Sequence, residues 1–153
     1  MSPENEVVIR DIVGSIRQLY RAVYIGSSKI SRRFGLTAPQ SGVLRTLSRH
    51  GPLSSAELSR KLYVTPSNMT GIIDRLEKKG LVKRIGKPGD RRVTLISLSG
   101  EGVELSKVVP DPIERKLISG LGDLDPGEVR TLQEGMNMII DMIDAEKIGD
   151  DAI

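Results

Sequence analysis

Two short stretches of this chain concentrate side chains suited to gripping a polyanion rather than to breaking bonds. Between Thr65 and Gly80 stand Ser67, Asn68, Thr70, Gly71, Arg75 and Lys78, and between Gly86 and Arg92 stand Lys87, Asp90, Arg91 and Arg92. Serine, asparagine and threonine are short donors and acceptors that reach base edges or phosphates, and a glycine among them lets another backbone come close. Lysine and arginine neutralise phosphates, and arginine is favoured where a narrow minor groove concentrates negative potential. Taken singly, each of these residues is more commonly part of a solvated helix face, and an Asp-x-Arg pair is commonly a surface ion pair of small worth. Their joint occurrence in one basic segment is what points to nucleic acid.

The segment is basic within a chain of 153 residues whose formal charge is only +3. Residues 1–36 carry 6 basic and 3 acidic side chains, residues 37–98 carry 12 and 4, and residues 99–153 carry 5 and 13. Such separation of sign suits a protein whose middle third faces a polyanion while its acidic C-terminal third faces away.

Other chemistries find no constellation. Cysteine is absent and His50 is the only histidine, which excludes disulfides, thiolate metal sites and cysteine nucleophiles. No serine precedes a lysine by three residues, and neither a Gly-x-Ser-x-Gly elbow nor a Gly-x-x-x-x-Gly-Lys phosphate loop occurs. No enzyme, catalytic residue, metal or cofactor is therefore expected, and acidic pairs such as Asp150-Asp151 belong to a polar tail. No apolar run nears the ~20 residues that cross a bilayer, and the start Met1-Ser2-Pro3-Glu4-Asn5-Glu6 is not basic like a signal peptide. The expectation is a cytoplasmic protein with no membrane partner.

The elements that must position the two stretches can be read from periodicity and caps. Ile9, Ile12, Val13, Ile16, Leu19, Tyr20 and Val23 recur at helical steps and predict a first helix over 7–34, closed by Gly35. Thr37 with Gln40 and Ser54 with Glu57 are capping boxes that open a second and a third helix. Thr65-Pro66 opens a fourth, because proline at the first helical position loses no needed hydrogen bond. That helix should bury Met69, Ile72, Ile73 and Leu76 and expose Ser67, Gly71, Asp74 and Lys78, with Asn68, Thr70 and Arg75 on the flanks. Residues 81–85 and 93–98 read as strands around a Gly86-to-Asp90 turn, with Val93 and Leu95 alternating imperfectly against Thr94 and Ile96. Ser99 caps a fifth helix that Pro110 must kink or end, and Asp111-Pro112-Ile113-Glu114 restarts it. Asp125-Pro126-Gly127-Glu128 opens a last helix striped by Val129, Leu132, Met136, Ile139, Ile140 and Ile143. The tail from Gly149 is too polar and acidic to dock by itself. The fold class is mainly α with a small β-hairpin wing, a winged helix-turn-helix over residues 37–98 flanked by helices over 7–34 and 99–146. The stripes of the first and last helices are too long for so small a core to cover, so they should pair across a two-fold axis in a homodimer.

In these features the sequence resembles the multiple-antibiotic-resistance regulator (MarR) family. The resemblance rests on Leu36-Thr37 with Gln40 and Leu44, on Leu58 to Leu62, and on Val64 through Gly80-Leu81-Val82. Most specific is Asp90-Arg91-Arg92 followed by Leu98-Ser99-Gly100-Glu101-Gly102, similar to the family's wing signature with Ser99 in place of threonine. It spans residues 7–145. It implies a transcription regulator that binds double-stranded DNA as a dimer, a repressor on an inverted-repeat operator. It further implies that Arg92 enters the minor groove, oriented by Asp90, with Lys87 and Arg91 near phosphates. A small phenolic or anionic effector is implied in a cleft between the dimer helices and the DNA-binding lobe, with Tyr20, Tyr24, Arg45 and His50 as liners. For the two tyrosines, which continue the first apolar stripe, core packing is the plainer expectation. Pro110 departs from the long unbroken fifth helix usual in the family. The alternative to duplex binding is a winged helix used as a protein-interaction module, for which the wing arginines would be incidental.

Overall fold

The computed structural model describes residues 1–143, so the acidic tail from Gly149 and the last residues of the 99–146 segment lie outside the described residues. Helix α1 (Pro3–Phe34) starts four residues earlier than its apolar stripe suggests. Ser2 accepts a hydrogen bond from the Asn5 N–H and Pro3 takes the first turn, so a cap and a proline, rather than hydrophobic periodicity, set this boundary.

Both expected capping boxes form. In α2 (Ala38–His50) the Gln40 N–H donates to Thr37 Oγ1 at 3.3 Å and the Thr37 N–H donates to Gln40 Oε1 at 3.1 Å. In α3 (Ser55–Leu62) the corresponding bonds between Ser54 and Glu57 are 3.1 and 2.8 Å. The Glu57 carboxylate accepts from the Ser54 backbone and hydroxyl, which holds its pKa below the usual carboxylate range. Helix α4 (Pro66–Lys78) follows after a three-residue turn.

Strands β1 (Val82–Lys87) and β2 (Asp90–Leu98) pair antiparallel from Val82↔Leu98 to Gly86↔Thr94. The next pair is Lys87↔Asp90, so Arg91, Arg92 and Val93 bulge from β2 without partners on β1. The strands therefore run farther than 81–85 and 93–98, and the turn shrinks to Pro88-Gly89. Gly89 has φ +85°, which with proline before it matches a type II turn. Leu53 adds a bridge to the outer edge of β2 through N–H···O bonds of 3.1 and 2.7 Å with Ile96. That bridge carries Ile96 into the core, whereas Val93 and Leu95 are half-buried, so burial along β2 does not follow strict alternation.

Helix α5 (Gly100–Val108) is capped by Ser99, whose hydroxyl accepts from the Gly102 N–H and donates to the Gly80 carbonyl. It ends before Pro110, as proline requires. Asp111 accepts from the N–H groups of Ile113 and Glu114, yet helical backbone resumes only at Glu114, where α6 (Glu114–Gly122) begins. Helix α7 (Pro126–Ile143) opens with Asp125 accepting from the Gly127 and Glu128 N–H groups while the Glu128 carboxylate accepts from the Asp125 N–H.

The core draws Leu36, Val43, Leu44, Leu47, Leu58, Met69, Ile72, Ile73, Leu76, Leu81, Val82 and Ile96 from residues 36–98. Helix α1 adds only Ile30, the segment after α5 adds Val109, and α6 and α7 bury none of their described side chains. The apolar stripe of α1 faces Met136, Ile139 and Ile140 of α7 across an open groove of about 570 Å³. The chain is thus one packed lobe from which long apolar helices project.

Candidate nucleic-acid interface

The interface candidate is built on α4 and on the hairpin β1–β2. Thr65, nearly buried, caps α4 by accepting from the Asn68 N–H at 3.3 Å, and its hydroxyl lies 3.5 Å from that of Ser67. Met69, Ile72, Ile73 and Leu76 are buried beneath the helix, while Ser67, Asn68, Thr70, Arg75 and Lys78 are exposed, as the periodicity predicts. The Thr70 hydroxyl donates to the Pro66 carbonyl, which leaves its oxygen able to accept a hydrogen bond from a partner. Arg75 folds back over Gly71, its guanidinium nitrogens 3.7 and 3.8 Å from where a Cβ would stand. A Cβ at Gly71 would thus meet the guanidinium only at ordinary van der Waals distance, and the fold of Arg75 does not require a glycine there.

The two acids of α4 do not stand free. Arg84 of β1 reaches Asp74 Oδ1 at 2.5 Å and Glu77 Oε1 at 2.7 Å, and the Asp74 hydrogen bond is the largest cause of an upward shift in the arginine's pKa. One guanidinium thus engages two carboxylates on the exposed side of α4, offsets one of their two charges and ties the hairpin to the helix. Neither role is visible in the order of residues, because ten positions separate Asp74 from Arg84. Lys79 is likewise structural, donating from Nζ to the Gly35 carbonyl and to Gln40 Oε1.

At the wing, Asp90 Oδ1 accepts from the Arg92 backbone N–H at 3.2 Å and from its Nε at 3.3 Å, while the Arg92 side chain is 93% exposed. The aspartate holds both the backbone and the head group of an arginine that otherwise meets only solvent. Lys87 and Arg91 are exposed beside it.

The four expected effector liners fall into two places within the subunit. Tyr20 and Tyr24 stack on α1 with ring centroids 6.4 Å apart and are 72% and 63% exposed, so they do not pack into a core of the subunit. Tyr20 borders the open groove that α1 forms with Met136, Ile139 and Ile140 of α7. Arg45 and His50 instead line a cavity of about 200 Å³ between α2, the end of α3 and the segment joining α5 to α6, together with Arg49 and Asp111. There Arg45 Nε lies 3.2 Å from Asp111 Oδ2, Arg49 pairs with Glu114, and Arg45 Nη1 is buried without a hydrogen-bond partner among the described residues. One residue that the sequence did not single out also borders α4. Tyr63, the left-handed residue of the turn between α3 and α4, lines a cleft of about 430 Å³ with Pro39, Ser67, Asn68, Gly71 and Arg75.

Comparison with known proteins agrees with this architecture. The MarR family model matches residues 36–94, which is the lobe from the start of α2 into β2. The HTH-type transcriptional regulator YsmB of Bacillus subtilis is 35% identical over 101 residues, covering 66% of this chain and 69% of that protein. The HTH-type transcriptional repressor NicR of Pseudomonas putida is 31% identical over 123 residues, 77% of each chain. Among solved structures, the transcriptional regulator BldR from Sulfolobus solfataricus superposes with a TM-score of 0.66 at 25% identity, covering 93% of this chain and 99% of that one. With the helix-turn-helix, the wing and these relatives together, the chain belongs to the MarR family of winged-helix, DNA-binding transcription regulators, which are not enzymes.

Proposed function

We propose that the protein is a homodimeric repressor that sets α4 into the major groove and the Asp90-to-Arg92 wing into the minor groove of an inverted-repeat operator. Residues 37–98 form the DNA-binding lobe, and 7–34 with 99–146 form the dimer region. The observation that carries the reading is electrostatic. The exposed side of α4 and the hairpin tip present Arg75, Lys78, Lys87, Arg91 and Arg92, while the acids of α4 are held by Arg84. Repression is supported by NicR, a repressor by name. The cavity of about 200 Å³ that Arg45, Arg49 and His50 line with Asp111, where Arg45 Nη1 has no hydrogen-bond partner among the described residues, supports a small effector, phenolic or anionic, since that volume holds a single ring or an oxyanion. A DNA partner sets this work in the cytoplasm.

Selection of bound duplexes from a random pool, followed by titration across salt concentrations, tests the reading. The expected outcome is an inverted repeat whose half-site centres lie about 10 base pairs, or a multiple of that turn, apart, with affinity falling steeply as salt rises. No duplex binding at low salt would overturn it in favour of a protein-interaction module.

A further inference from the structure

We propose that Tyr63 is a DNA-contacting residue, its phenol seated against the phosphodiester backbone beside α4. The inference rests on the duplex-binding reading above and adds to it a residue outside both basic stretches. Tyr63 ends α3 with φ +53° and ψ +44°, and it is the only non-glycine residue of positive φ among the described residues. The turn requires this conformation: the Tyr63 and Val64 N–H groups both return to the Ser59 carbonyl, and Thr65 must cap α4 two residues later. Glycine adopts left-handed backbone freely and asparagine nearly so, whereas a bulky aromatic side chain strains it. The backbone thus accounts for the conformation but not for a tyrosine.

The core does not account for it either. Tyr63 is 68% exposed, lies outside the buried cluster, and its hydroxyl makes no hydrogen bond with another described residue, whereas its neighbour Val64 packs against the core. Tyr63 lines one cleft together with Ser67, Asn68 and Arg75, three of the exposed residues of α4. A duplex approached by that side of α4 meets Tyr63 at the rim. A phenol there offers a neutral donor to a phosphate oxygen and a flat apolar surface to the sugar edge. Strain kept at a recognition surface is the pattern expected when the side chain works on the ligand.

The test compares Tyr63→Gly and Tyr63→Phe with wild type in thermal melts and in duplex titrations at several salt concentrations, using the selected operator and a scrambled duplex. Glycine relieves the left-handed strain, so Tyr63→Gly should melt no lower than wild type, which separates lost contact from lost fold. It should nevertheless bind both duplexes about thirtyfold more weakly, and Tyr63→Phe about tenfold, the loss of one hydrogen bond to a charged acceptor. Because the phenol is uncharged, the slope of log affinity against log salt should stay at its wild-type value. If wild type binds with a steep salt slope and Tyr63→Gly binds as tightly, the role of Tyr63 is refuted while the duplex reading stands. A wild type that binds no duplex overturns both.

Discussion

Arg92 touches one neighbour, the Asp90 carboxylate, and otherwise stands in solvent, so its value to the free protein is small. In a minor groove the same side chain is desolvated against base edges and phosphates, where each good contact is worth far more. Arg92→Ala is therefore expected to weaken operator binding by about 1–3 kcal/mol while leaving the melting temperature near that of wild type. Asp90→Ala should fall between, since it removes the group that orients the guanidinium rather than the guanidinium itself. Lys78→Ala should act weakly and alike on operator and scrambled duplex, as a phosphate contact does. Titrations of the three variants at fixed salt check the ranking, and equal affinities for wild type and Arg92→Ala would remove the wing from the interface.

At the scale of elements, the hairpin and α5 are locked at one crowded point. A Cβ on Gly102 would stand 2.0 Å from the Leu81 carbonyl oxygen and 3.0 Å from its carbon, both backbone atoms that cannot rotate away. Gly102→Ala should destabilise the lobe by about 2–4 kcal/mol, read from the midpoint of urea unfolding, because the strand entering the wing must separate from the helix leaving it. The cap of α3 brings a pH dependence of definite sign. Hydrogen bonds from Ser54 lower the Glu57 pKa in the folded state, so the unfolded chain binds more protons at that site and stability rises with pH. The contribution is complete above the usual carboxylate range and fades as pH falls through the lowered value. Between pH 5 and 3, Glu57→Gln should lose less of its melting temperature than wild type does; parallel curves would show that the cap carries no such linkage.

At the scale of the whole molecule, the apolar faces of α1, α6 and α7 outrun anything one subunit can place on them. Leu19, Leu117, Leu132, Met136 and Ile140 are all exposed in the isolated chain. In the proposed homodimer a second copy would bring the same helices and close both sets of stripes about a two-fold axis. Replacing Leu132 and Ile139 with aspartate should separate the subunits or unfold them, since charges in an apolar seam have no partners there. Sedimentation of wild type as a stable monomer at micromolar concentration would sink the dimer.

Caps and stripes made much of the fold legible in advance. Thr37 with Gln40, Ser54 with Glu57, Thr65-Pro66 and Ser99 each open the helix their spacing announces, because a cap acts within one turn and its partners are three residues away. The split of α4 into a buried stripe and a polar side is equally local. Interactions between segments far apart in sequence were not legible. Burial of Ile96 depends on Leu53, more than forty residues earlier, and the service of Arg84 to Asp74 and Glu77 depends on the hairpin folding back over α4. The bulge that sets Arg91 and Arg92 off the ladder follows from strand register, which residue order alone left as a wide turn. The left-handed backbone of Tyr63 is likewise imposed by the junction of two helices on a residue whose type argues against it. Spacing along the chain determined which helices form and which sides are polar; only long-range packing decided which of those polar groups are already partnered and which remain free to meet DNA.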